Sequence, residues 1–245
     1  MYIRVAGLAL PFVIGIGLAI TSCSAPGTVK PAASDTPSPS GAAVSGSPTA
    51  SPSAPSSAAA VPAGYTRAGG AAQGISVATP ASWVAVDLAK ETIDSASKKI
   101  GLKGFSASTL TQDMESLLKL HAVFVVDVTG AVNGQSFAPN LNAYCVTSGV
   151  TDVGAAGAPL LKEEAAAEFQ KIGAAHVTQK DLEIGGVPGV ETSYQLSSSS
   201  VGTLYGSQLE VLPKPDKACF VTLTVANSQS AGNTLSVAAA TAQFP

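Results

Sequence analysis

The side chains in this chain that could do chemistry are few. There are three cysteines, Cys23, Cys145 and Cys219, and two histidines, His121 and His176. Neither histidine has a Cys, Asp or Glu at ligand spacing, and no zinc-protease or serine-hydrolase motif is present. The histidines read as structural or solvent-exposed, and Ser197–Ser200 reads as a loop rather than a nucleophile. Carboxylates offer more. Glu163, Glu164 and Glu168 lie along a predicted helix and suit a solvated face. Asp181, Glu183 and Glu191 alternate with apolar residues and point outward. Asp127 follows Phe124-Val125-Val126, so it lies on a wet sheet face or is buried with a partner. No catalytic residue and no metal or cofactor site is expected.

Cys23 stands apart because of what precedes it. Met1-Tyr2-Ile3-Arg4 carries a positive charge, and an uncharged apolar run from Val5 to Ile20 follows. That run is about 16 residues, short of the roughly 20 that a spanning helix needs, and it has the form of a secretory leader. It ends Ile20-Thr21-Ser22-Cys23, an aliphatic residue and two small ones before a cysteine. This resembles the lipobox of bacterial lipoproteins. The resemblance implies alkylation of the Cys23 thiol by a diacylglyceryl group, cleavage just before it, and two or three acyl chains holding the protein to a bilayer. Thiol nucleophilicity is the reason a cysteine is needed. More than one chain is needed for stable anchoring.

Residues 24–63 are almost entirely Ala, Ser, Pro, Thr and Gly, with Lys30 and Asp35 the only charges. Such a composition cannot bury enough apolar surface to offset backbone ordering, so it reads as a disordered tether. At about 40 residues it spans roughly 35 Å as a coil and about 120 Å as extended polyproline. The expected organisation is therefore a signal peptide over 1–22, a lipidated Cys23 with its tether over 23–63, and one globular domain over 64–245. Without Arg4, Lys30 and Asp35 that domain keeps 11 basic and 15 acidic side chains, a mild acidity with no basic patch. Nucleic acid is not an expected partner.

With Cys23 acylated, Cys145 and Cys219 form an even pair in an oxidising compartment. Period-two alternation puts each on the more aliphatic face of its strand, with Leu141 and Ala143 in one and Val221, Leu223 and Val225 in the other. Two readings fit: a disulfide closing a loop of about 74 residues, or two buried thiols packing as small apolar groups.

The elements that must position these groups follow from periodicity. Strands are predicted over 74–80, 82–86, 121–128, 140–147, 180–184, 190–196, 203–212 and 218–225. Helices are predicted over 108–120, 159–172 and 227–244. Turns are expected at Asn133-Gly134, Gly185–Gly189 and Pro213–Asp216. Trp83 reads as a core anchor, while Tyr144, Tyr194 and Tyr205 fall on sheet rows as core or as the floor of a ligand site. Hairpins with helices before and after make an α+β fold, an antiparallel sheet covered by helices.

The order of these marks resembles a known family. Gly74-Ile75-Ser76-Val77 with Pro80 and Trp83, then Phe137 with Pro139-Asn140-Leu141-Asn142, the turn Gly185-Gly186-Val187-Pro188-Gly189, the hairpin from Leu209 to Val225, and a closing Ala242-Gln243-Phe244 look like the PsbP-like lipoproteins of actinobacteria, the LpqN type. The resemblance implies an α/β/α sandwich around the sheet and brings no catalytic residue. The expected function is a membrane-anchored extracytoplasmic lipoprotein with a non-enzymatic binding or accessory domain, for an envelope component, a small apolar ligand or a protein partner. The alternatives are an envelope hydrolase whose carboxylates meet only in the fold, and a structural surface antigen.

Overall fold

A computed structural model describes residues 59–88, 90–100, 115–128, 137–198, 202–226 and 232–245. The apolar leader, Cys23, the tether up to residue 58, the Asn133-Gly134 turn and the first part of the helix predicted over 108–120 lie outside the described residues.

Nine strands are described. β1 (Tyr65–Gly70) and β2 (Ile75–Pro80) pair with each other as a two-stranded sheet. The other seven form one antiparallel sheet in the order β3-β4-β5-β9-β8-β7-β6. They are β3 (Val84–Asp87), β4 (Val123–Val126), β5 (Asn140–Thr147), β6 (Ala175–Ile184), β7 (Val187–Ser198), β8 (Gly202–Lys214) and β9 (Lys217–Val225). Three helices accompany them: α1 (Ile93–Ile100), α2 (Ala158–Lys171) and α3 (Gly232–Thr241). Residues 115–119 are also helical, in keeping with the end of the helix predicted over 108–120. The fold is α+β with an antiparallel sheet.

Hairpin chemistry sets the register. β6 and β7 join through Gly185 and Gly186 alone, both at positive φ (60° and 79°), with Ile184 opposite Val187. Two left-handed residues make the turn whose twist matches the strands, and glycine adopts that conformation without a Cβ clash. The turn is thus shorter than the predicted Gly185–Gly189, and Pro188 and Gly189 lie inside β7. β8 and β9 close through Pro215 and Asp216, after a register shift between Val211 and Lys214.

Each sheet face has its own core. On one, Leu141, Ala143, Leu209, Val211, Cys219, Val221, Leu223 and Val225 pack against Ile75 and Val77 of β2 and Leu235, Ala238, Ala239 and Ala242 from α3 and its end. Trp83, half-buried, packs here as an anchor. On the other, Phe124, Val126, Tyr144, Val190 and Phe220 meet Ala96 and Ile100 of α1 and Ala158 and Leu161 of α2. Phe169 and Ala165 of α2 continue that layer over Tyr194, Leu196 and Leu204. The predicted 3.6-residue stripe Leu161, Ala165, Phe169 is the buried face of α2, and Gly173 (φ 71°) follows its end.

Several expectations are corrected. β1 and α1 were not legible as elements. β6 begins at Ala175, so His176 lies within a strand, at positive φ (52°) beside a register shift, rather than between helix and strand. The closing helix ends at Thr241; Gln243 instead makes a β-bridge with Ser76, exchanging backbone hydrogen bonds of 2.9 Å.

Gly206 of β8 tests the packing of the helix-covered face. A Cβ there would fall 2.1 Å from the Cζ of Tyr194, whose ring lies across the glycine. Gly206→Ala is expected to lower stability by about 1–3 kcal/mol, the usual cost of overpacking. Urea unfolding should show an earlier midpoint at unchanged slope.

Candidate functional site

The face beneath α2 is polar where a covered sheet face is ordinarily apolar. Directly opposed residues form a row across five strands: Gln179 of β6, Thr192 of β7, Gln208 of β8, Thr222 of β9 and Asn142 of β5. The last four are buried. A second row runs Tyr194, Gly206, Thr224, Asn140. Between and beside them stand Glu210, opposite Phe220, and Tyr144, opposite Phe220 from the other side.

Glu210 is 1% exposed and is held within the row. Gln208 Nε2 donates to its Oε1 at 3.2 Å and Thr192 Oγ1 donates to the same atom at 3.4 Å. Thr222 Oγ1 in turn donates to Gln208 Oε1 at 2.9 Å, and Gln179 Nε2 donates to Thr192 Oγ1 at 3.4 Å and to the Lys162 carbonyl at 2.9 Å. Burial lifts the Glu210 carboxyl to about 8 against the lowering effect of these donors, and Glu164 of α2 raises it further. At neutral pH the group is mainly the neutral acid, a donor as well as an acceptor. Burial, with help from Glu210 and Tyr194, pushes the Tyr144 phenol well up; burial raises that of Tyr194 too. The cluster is therefore polar but uncharged.

Four buried polar atoms in this cluster lack a hydrogen bond of good geometry: Tyr144 Oη, Tyr194 Oη, Thr224 Oγ1 and Asn140 Oδ1. The Tyr194 and Thr224 hydroxyls are close enough for Thr224 to ease the tyrosine's shift without a well-formed bond between them. Asn140 uses its Nδ2 on the Ala138 carbonyl at 3.1 Å, which leaves its oxygen unused. Unmade bonds of this kind are costly in a dry interior. The apolar neighbours Phe137, Phe169, Leu196 and Leu204 surround the Tyr194 end. Phe169 stacks on Tyr194 with centroids 4.3 Å apart.

The predicted residues divide around this cluster. Tyr144 and Tyr194 share the helix-covered face, but Tyr205 packs against the opposite core, so the three do not form one aromatic floor. Glu164 is half-buried, and its carboxyl is raised by burial and by Glu168 and Glu163, so the helix does not present a uniformly solvated acidic face. Glu168 pairs with Lys171, Glu191 with Lys180 at 2.9 Å, and Asp181 with Lys162 at 2.7 Å. Asp127 is half-buried just after β4, its backbone N–H donating to the Pro139 carbonyl. His121, in the turn before β4 rather than at the start of the strand, and His176, in β6, are exposed. Cys145 and Cys219 stand opposite each other and form a disulfide, with Cα atoms 4.1 Å apart. The free-thiol reading is thereby set aside. Glu210, Gln208, Thr192 and Thr222 were missed: they lie on different strands, and only the cross-strand register brings them together.

No protein-family model matches this chain, and no curated protein matches it.

The raised Glu210 carboxyl makes stability depend on pH. Between about 4.5 and about 8 the folded protein keeps a proton that the unfolded chain has lost. Stability from this group thus falls as pH rises through that window. Glu210→Gln supplies a permanently neutral isostere. It should match wild type near pH 4.5 and become progressively more stable toward pH 8, by up to about 1.4 kcal/mol per pH unit crossed. Denaturant titrations at a series of pH values measure this.

Proposed function

We propose that this chain is an extracytoplasmic lipoprotein, anchored to a bilayer through an acylated Cys23, whose globular part is a non-enzymatic binding domain with a PsbP-like α/β/α sandwich. The single observation that carries the binding reading is the group of four buried polar atoms on the face beneath α2 that lack a hydrogen bond of good geometry. The ligand class follows from their surroundings. The groups are uncharged at neutral pH and bordered by Phe137, Phe169, Leu196 and Leu204, which suits a small, mostly apolar molecule offering one or two neutral hydrogen-bonding groups. A charged ligand would lose its hydration there without a counter-charge.

Two further observations support the reading. The Cys145–Cys219 bridge belongs in an oxidising setting. Glu210, the most perturbed carboxyl, is sealed and spoken for by Gln208 and Thr192, which fits a recognition group better than an acid that must meet water and substrate.

Mass spectrometry of the protein purified from its own membranes tests both halves. The denatured mass should carry two or three acyl chains on Cys23. The native mass should exceed it by a neutral, releasable molecule, and Tyr194→Phe with Thr224→Val should reduce its retention about tenfold, the worth of one neutral hydrogen bond in a dry site. Cys23→Ala should accumulate as an unprocessed, unacylated precursor. A Cys23→Ala protein still cleaved before residue 23 and still lipid-modified overturns the anchor. A native mass with nothing bound, across membrane extracts, overturns the binding site.

A further inference from the structure

On the apolar side of the sheet, the disulfide has two unlike ends. Cys219 is fully buried among Val211, Val221 and their neighbours. Cys145 is half-buried and lines an open pocket of about 360 Å³, together with Gly74, His121, Thr147, Asp216 and Lys217. Lys217 Nζ donates to the Gly74 carbonyl at 3.0 Å, and the same oxygen lies 3.2 Å from Cys145 Sγ. One carbonyl thus holds an ammonium group beside the accessible sulfur. The charge belongs to a lysine partly withdrawn from water, which, with Lys214 nearby, lowers its own proton affinity.

We propose that Cys145–Cys219 is a thiol–disulfide exchange site, opened at Cys145 by the dithiol of a partner oxidoreductase that reaches it through this pocket. The partner's thiolate attacks Cys145 Sγ in line with the S–S bond. That bond breaks, its electron pair leaves on Cys219, and the Cys219 thiolate takes a proton. A mixed disulfide now joins Cys145 to the partner. The partner's second thiolate attacks its own sulfur in that bond and releases Cys145 as a thiolate beside the Lys217 ammonium. The partner dithiol loses two electrons and two protons and becomes a disulfide, and the bridge gains them. Run backwards, the same steps close the bridge using a partner disulfide. Attack at Cys219 has no path, because its sulfur is covered. Lys217 is a positioning residue: a cation beside a sulfur favours its thiolate and makes Cys145 the better leaving and attacking group. Among the described residues, His121, Asp216, Lys214 and Pro245, whose oxygen accepts from Lys217 Nζ at 3.4 Å, are the other polar groups around this site, but Lys217 alone shares the Gly74 carbonyl with the sulfur. This inference rests on the bridge and its pocket and is independent of Cys23 and of the ligand.

The test uses the folded chain without denaturant and dithiothreitol as the dithiol. Bridge opening, followed by alkylation and mass, should be first order in dithiothreitol and insensitive to urea below the unfolding transition. With glutathione and an acid quench, the transient adduct should map to Cys145. Lys217→Met should slow closing, in which the Cys145 thiolate attacks, roughly three- to tenfold and move its pH profile upward, while Lys217→Arg restores both. An opening rate that saturates with dithiothreitol and climbs with urea means that the bridge opens only in the unfolded chain, and overturns the proposal. So does an adduct on Cys219, or a pH profile that Lys217→Met leaves unchanged. None of these readouts requires a cysteine variant to fold.

Discussion

A carboxyl group at 1% exposure beneath a helix is the constraint from which the rest of this structure follows. Moving an ionised carboxylate into such a place costs far more than a domain's stability can absorb, so the group keeps its proton and takes hydrogen bonds from whatever stands beside it. Gln208 and Thr192 meet that need, Thr222 and Gln179 orient them, and the cross-strand register puts all four in line. A slip of one residue between β7 and β8 would set Leu209 or Ser207 opposite Thr192 in place of Gln208 and break the row. The polar row therefore fixes pairing on a sheet whose covered face would tolerate other arrangements if it were merely greasy.

The two faces divide the work. The face toward β2 and α3 is mainly apolar where they cover it, and α3 offers small residues there, Ala238 and Ala239. The disulfide ties β5 to β9 on that side, at the centre of the seven-strand order. The face toward α2 is assembled from large rings and hydrogen-bonding groups, with space made for Tyr194 by the missing side chain of Gly206. A rigid, apolar half supporting a polar, incompletely bonded half is the arrangement a recognition site requires.

How much of this is legible in the chain depends on whether a pattern has one cause. β5 and β9 were recognisable because Leu141-Ala143-Cys145 and Cys219-Val221-Leu223-Val225 alternate with other residues, and the same alternation put each thiol on the more aliphatic face of its strand. The α2 stripe was equally clear. β1, with the sequence Tyr-Thr-Arg-Ala-Gly-Gly, has no apolar rhythm; it exists because β2 pairs along its whole length and because Arg67 reaches Ser76 and the Thr241 carbonyl. α1 is short and mostly polar, and its place is set by Ala96 and Ile100 against the sheet. The first half of β6 carries His176, Thr178 and Gln179, which signal no strand until β7 stands beside them. The binding cluster failed to show for a related reason. Thr192, Gln208, Glu210 and Thr222 have the composition of a solvated face, and only the tertiary placement of α2 turns them into an interior.

The account stands on that interior being polar and uncharged at neutral pH. Carbon-13 NMR of the Glu210 side-chain carboxyl, titrated in the folded protein and assigned by its loss in Glu210→Gln, measures this directly. The account predicts one carboxyl that titrates near 8, far from the other glutamates. A Glu210 resonance that moves between pH 4 and 5 with the surface carboxylates would mean an ionised, water-reached group, and would contradict it.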